Sequence, residues 1–254
     1  MNKKRLFLIF FVCEILYMVD YTEIEDIFCS VSIIPDMAAI ADGMHIPERE
    51  KIKKNDINLE FKQEEIREVE EFNSIKIENF FGDIQINSNK EKHAIEILAG
   101  NRTIQSITTV VSGGQLLIIF NKKINTAMPV NISINTRNIF YLDIQNSSVT
   151  VNINHVNSKE FTFLVKGASS VSADGHVENL YISAFGSVDL YLKELKSNKC
   201  RIVLNGTSDA IVNVSGLLTA EINGASDIVY FGKPASVSKK INGTGDISPI
   251  SIEM

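Results

Sequence analysis

Gly206-Thr-Ser-Asp-Ala-Ile211, Gly224-Ala-Ser-Asp-Ile228 and Gly243-Thr-Gly-Asp-Ile247 are three versions of one short motif, and their reading decides the fold. Looser copies precede them: Asn146-Ser-Ser-Val149, Gly167-Ala-Ser-Ser-Val171 and Gly186-Ser-Val188. The first residues of the six copies are 21, 19, 20, 18 and 19 positions apart. Two strands of about five residues and two turns of four to five add to roughly 20, which makes one repeat one rung of a stack. Rungs spaced at the ordinary ~4.8 Å between strands bury their apolar side chains only against their neighbours, so such a stack is stable as a whole and not rung by rung. The expectation is an all-β chain, a β-solenoid of about 20-residue repeats.

The motif residues suit corners. Glycine takes positive φ at no steric cost, and Ser, Thr and Asp satisfy free main-chain N–H groups at turns. The corner set is Gly167, Ser169, Gly186, Ser187, Gly206, Ser208, Gly224, Ser226 and Gly243, with the four serines predicted to stack as one polar row. Asp209, Asp227 and Asp246 form a second row. Between corners an apolar ladder is read through Leu180 and Ile182, Val188 and Leu190, Ile202 and Leu204, Ile211 and Val214, Ile222, Ile228 and Tyr230. Alternation at period two extends upstream from Phe72, through Ile75-Lys-Ile77, Ile84-Gln-Ile86, Ile95-Glu-Ile97 and Val130-Asn-Ile132-Ser-Ile134, as strands buried on one face require.

The N-terminus reads differently. Lys3, Lys4 and Arg5 precede the apolar run Leu6 to Val12, the pattern of a signal peptide or anchor-like segment. Phe11 and Val12 are too large for a lipobox before Cys13. The organisation that follows is 1–30 as signal or anchor, 31–70 as linker with a short helix near Gln63 to Glu70, 71–248 as the repeat domain and 249–254 as tail. The charged segment and Pro249 are expected to blunt the open strand edges at the ends. Export to the periplasm, outer membrane or cell surface follows from this reading, with membrane association through the N-terminus only.

Of 254 residues 44% are hydrophobic, enough for a continuous core, and the net charge of −6 disfavours nucleic acid as partner. Cys13, Cys29 and Cys200 lack the spacing of a disulfide framework or metal site. His45, His93, His155 and His176 lie in separate segments, and there is no P-loop, G-x-S-x-G elbow or dinucleotide fingerprint, so no cofactor and no enzyme activity is expected. Asp209, Asp227 and Asp246 are the one metal candidate. Stacked carboxylates repel, and Ca²⁺ with its oxygen ligands would relieve that; otherwise each Asp caps its own turn. The N-x-S/T sequences at Asn101, Asn146, Asn205, Asn213 and Asn242 are read as corner chemistry.

The landmarks Phe72-Asn-Ser-Ile75, Gly82-Asp-Ile-Gln-Ile86, Ala99-Gly-Asn101 and Gly113-Gly114, then Leu217 to Ile228, Tyr230-Phe-Gly-Lys-Pro234 and Asn242-Gly-Thr-Gly-Asp246, resemble the putative auto-transporter adhesin head GIN domain family. The resemblance spans roughly Phe72 to Ile247 and implies a bacterial β-repeat domain of exported or lipid-anchored proteins, without catalytic residues. It implies a cell-envelope or surface binding module for an unknown protein or glycan. The alternatives are a carbohydrate-active β-helix enzyme and a purely structural envelope protein.

Overall fold

The computed structural model describes residues 61–121 and 128–250, all within the compact unit Leu59–Met254. The signal or anchor reading of 1–30, Cys13, Cys29, His45, the linker up to residue 60 and the last four residues lie outside the described residues. Among those described, the chain is all-β, with one twelve-stranded curled sheet and a single helical turn.

The strands are β1 (Lys62–Glu68), β2 (Ser74–Glu78), β3 (Phe81–Asn87), β4 (Ala94–Gly100), β5 (Ile107–Ser112), β6 (Gln115–Phe120), β7 (Asn131–Asn135), β8 (Tyr141–Gly206), β9 (Asp209–Ala225), β10 (Asp227–Phe231), β11 (Ser236–Thr244) and β12 (Ile247–Pro249), with α1 (Asn101–Ile104) after β4. Period-two alternation turns one set of side chains inward, as the pleat demands. The parallel registers then set like on like. Ile75 lies between Leu116 and Leu142, and Ile77 between Ile118 and Ile144. On the neighbouring run, Ile84 lies between Ile132 and Val151, and Ile86 between Ile134 and Ile153. All are buried. Phe161 and Phe163 add two fully buried rings whose centroids are 4.4 Å apart. The thiol of Cys200 is sealed in the same core, and burial pushes its pKa up to about 12.

Later segments stack in register at near-constant offsets. Arg201 pairs with Thr219 and Asn205 with Asn223 between β8 and β9, Asp209 pairs with Asp227, and Asn223 with Asn242. One inward assignment shifts. Ala210, not Ile211, sits beside Ile228, so Ala210 and Val212 are buried while Ile211 is half-buried on the outer face. The similarity of Asp-Ala-Ile to Asp-Ile invites a one-residue slip, and a one-residue slip exchanges the faces.

Chain order is not spatial order at the N-terminal end. β2 lies between β6 and β8, and β3 between β7 and β8. The chain therefore lays down β2 and β3 before the strands that flank them, places β6 and β7 on their far side, and returns to begin β8. Antiparallel strands then cover that end: β4 on β7, β1 on β4 and β5 on β6. The short helix expected near Gln63 to Glu70 is instead β1. Seven residue pairs with β4 override a local pattern that is merely charged, and the Arg67 guanidinium anchors the strand by donating to the Ile107 carbonyl (2.8 Å) and Thr109 Oγ1 (3.0 Å).

The C-terminal end closes by another means. Lys239 pairs with the buried Ala220, placing a lysine in an inward column. Its ammonium crosses to donate to the Ile247 carbonyl (2.5 Å) and lies 5.6 Å from the centre of the Tyr230 ring. An inward charge and the edge proline Pro249 in β12 are both devices that discourage further strand pairing.

Rung contact is closest at the glycine corners. Gly206 has φ +122°, and a Cβ there would lie 2.5 Å from the Gly186 carbonyl oxygen. Gly113, in the β5–β6 turn, has φ +58° with nothing within 4 Å of a Cβ. Gly206→Ala is expected to cost roughly 3 kcal/mol in urea unfolding, combining strain and overpacking, and Gly113→Ala about 1 kcal/mol. Equal costs at the two sites would show that the corners are not close-packed.

Candidate functional site

Three polar rows follow from the register, each built by one recurring residue type. The glycine row runs Gly167, Gly186, Gly206, Gly224 and Gly243, the first lying over the carbonyl of Ser147 and each other over the carbonyl of the one before. The serine row lies two residues on. Ser169 donates its hydroxyl to the Ser147 carbonyl, Ser208 to that of Gly186 and Ser226 to that of Gly206, all at 3.2 Å. The same hydroxyls accept main-chain N–H groups: Val188 N–H reaches Ser208 Oγ at 3.2 Å and Ser208 N–H reaches Ser226 Oγ at 2.9 Å. Ser208 and Ser226 therefore each close two main-chain valences of the adjacent segment, and all three serines are buried.

Ser187 does not belong to this row. It is exposed, and Val188 occupies the serine position of that segment. Register explains it: Asp189 pairs with Asp209, so Val188 aligns with Ser208. Gly245 takes the same position in the last segment and has no hydroxyl to give.

The aspartate row lies at the surface. Asp227 N–H donates to Asp209 Oδ1 at 3.1 Å, and Asp246 N–H to Asp227 Oδ1 at 2.7 Å. The Asp209 and Asp227 carboxylates thus cap the following segment, not their own turns. Asp189, which the motif does not mark, extends the row by its pairing with Asp209. Two exposed charges at ~4.8 Å repel by only about 1 kcal/mol in water, and a charge-assisted hydrogen bond to each N–H offsets that without a counter-ion. Among the described residues no group of three or more His, Cys, Asp or Glu is arranged to hold a metal ion.

A fourth row goes unmarked by the corner motif. Asn223 Nδ2 donates to Asn205 Oδ1 (3.1 Å) and Asn242 Nδ2 to Asn223 Oδ1 (2.7 Å), an amide ladder of the kind that stacked strands favour. Its signal in the sequence is the recurring Asn-Gly at 205–206, 223–224 and 242–243. The histidines stay apart: His155 N–H is held by Asp174 Oδ1 at 2.9 Å, His176 is exposed, and His93 Nδ1 lies 3.4 Å from Thr136 Oγ1.

Two grooves cut the outer surface. One, of about 270 Å³, is lined by Tyr141, Thr162, Leu164, Tyr181, Arg201 and Val203 among others. Beside it Asp143 is buried and takes the Gln145 side-chain amide at 2.9 and 3.1 Å. Burial raises the pKa of the Tyr141 phenol, and the Asp143 charge adds to the rise. The hydrogen bond to Glu78 raises that of Lys76, Asp143 again contributing. The second groove, of about 200 Å³, carries Asp83, Gln85, Glu96, Asn131, Ser133 and Asn152 on its walls beside Ile84, Leu98 and Ile132. Gln85 Nε2 is buried there without a hydrogen-bond acceptor. No helix among the described residues is long and apolar enough to cross a membrane.

Corners locked by glycine, serine and aspartate under mostly polar outer faces define a class of all-β domain whose regularity lies in its main chain. Residues 71–234 match the family described as putative auto-transporter adhesin, head GIN domain, and the chain belongs to it. The crystal structure of a putative adhesin from Bacteroides fragilis shares the fold with a TM-score of 0.62 at 21% identity, covering 75% of this chain and 97% of that one. Putative adhesins from Parabacteroides distasonis and Parabacteroides merdae match at 16% and 15% identity with TM-scores of 0.45 and 0.42, each over 75% of this chain and 97% and 96% of theirs. No curated protein matches the sequence.

Two outcomes test the rows. Ser208→Ala strands the Val188 N–H and is expected to cost roughly 1 to 3 kcal/mol in urea unfolding, whereas Ser187→Ala stays within about 0.5 kcal/mol. For the aspartates, millimolar Ca²⁺ is expected to leave the Tm unchanged, and Asp227→Asn, which keeps an acceptor oxygen, to move it by less than about 2 °C. A calcium-dependent rise in Tm that Asp227→Asn abolishes would assign the row to metal binding.

Proposed function

We propose that the chain is a non-enzymatic cell-envelope or surface binding module of the adhesin type, carried on a β-solenoid. Parallel registers at offsets of 17 to 20 residues support the solenoid reading. The proposed organisation is a signal or anchor segment over 1–30, a linker over 31–70, the head domain over 71–248 and a tail, with export as the consequence of the first. The observation that carries the binding role is a set of exposed aromatic rings on outer strand positions that the core does not need: Tyr181 at 41%, Phe185 at 40% and Tyr191 at 52% exposure. Family membership points the same way through its name. The ligand class of the module is an unknown protein or glycan at the surface.

A second reading, a carbohydrate-active enzyme, has one observation in its favour, the placing of Asp83 and Glu96 on one groove. Both carboxylates are exposed, however, and a general acid needs a desolvated carboxyl to keep its proton near neutral pH.

Protease shaving of intact cells expressing the full chain, with mass spectrometry of the N-terminus, tests the proposal. The expected outcome is release of head-domain peptides, with the first 20 to 30 residues missing or membrane-held, roughly the length of a signal segment. A protected chain with Met1 intact overturns it, as does polysaccharide turnover that Asp83→Asn abolishes.

A further inference from the structure

Resting on the reading of the chain as a binding module, we infer that the groove between Tyr141 and Tyr181 is the ligand site and that it takes a sugar bearing a carboxylate. Thr162 N–H bonds to the Phe140 carbonyl, which sets Thr162 beside Tyr141 in the next rung. Gly186 over Gly167 and Gly206 over Gly186 carry the same stacking on to Tyr181 and Arg201. Two phenol rings therefore stand two rungs apart, roughly 10 Å, with the short Thr162 side chain between them. The groove floor is half-buried Leu164 and Val203. Flat aromatic walls with wet hydroxyl ends suit a ligand that has apolar C–H faces and a hydroxylated rim. At about 270 Å³ the groove lies just below the usual range for drug-sized ligands, which fits one or two sugar units and not a lipid chain.

Charge selects among sugars. Arg201 is the charged residue of the lining, it is exposed, and it makes no hydrogen bond or ion pair with the described residues. The carboxylates that approach it through the register are already engaged. Glu221, whose pKa Arg201 helps to lower, is held first by Lys240 Nζ at 2.7 Å. Asp143, at the Tyr141 end of the groove, is buried against Gln145. A free guanidinium beside an aromatic slot is a two-pronged donor set for a carboxylate.

Titration calorimetry on the full chain tests this, with sialyllactose and trigalacturonate as acidic probes and lactose as the neutral reference. The acidic sugars are expected to bind with submillimolar Kd and lactose at least tenfold more weakly. Tyr181→Ala and Arg201→Met are each expected to weaken the acidic probes at least tenfold, Arg201→Lys to restore part of the loss, and Val110→Ala, an exposed side chain outside the groove, to change nothing. Unchanged far-ultraviolet circular dichroism shows that the variants fold. Equal affinity for lactose, an equal loss in Val110→Ala, or no acidic binding by the wild type each overturns the inference. If acidic sugars fail to bind while cell shaving finds the head at the surface, the site assignment falls and the module reading stands. If the chain is found inside the cell with sugar binding intact, the surface reading falls and the site assignment stands.

Discussion

The close approach of one segment's glycine corner to the carbonyl of the segment it pairs with is the constraint on which the other features depend. At Gly206 and Gly224 the main chain packs where no side chain fits. That contact fixes the rung spacing and the phase of each rung relative to the last. Once phase is fixed, every position stacks on its counterpart. Isoleucine falls on isoleucine, serine on the neighbouring glycine carbonyl, and asparagine on asparagine. The polar rows are consequences of the phase and also its locks, because a slipped rung would strand a buried hydroxyl and two main-chain groups at once.

Much of this is legible in the residues. The recurring Gly-x-Ser-Asp marks the corners because a stacked corner has few chemical solutions, and period-two isoleucines mark the inner face. What the residues do not carry is relational. Whether Ile211 or Ala210 meets Ile228 depends on a register that a motif comparison places only to within one residue. Taken along the chain, the aspartates look like caps of their own turns, yet Asp209 serves the N–H of Asp227 in another rung. Ser187 resembles a member of the serine row because it follows a glycine, but the count from Asp189 gives its place to Val188.

The N-terminal end is hardest to read because chain order and spatial order part there. Strands β2 and β3 precede all of their partners in the chain but are flanked on one side by β6 and β7 and on the other by β8. Nothing in a one-dimensional pattern separates a strand that meets its successor from one that waits for a segment far along the chain. The charged run before Phe72 is helical in composition; its role is set by the edge of β4 that it covers. The groove is invisible in the sequence for a related reason. Tyr141, Thr162, Tyr181 and Arg201 become one surface only when four rungs are aligned.

Lys239 gives the stack a direction. Earlier segments offer the next an oily inner surface, whereas the last sets, between Val237 and Ile241, an ammonium tied across to the Ile247 carbonyl. A further rung, whether from this chain or from a second molecule, would have to strip water from that charge to continue the core. Polymers of stacked strands grow from templates that are dry and self-similar, and here the template ends wet. The same regularity that makes this architecture easy to lengthen by duplication is thus prevented from lengthening by mere contact.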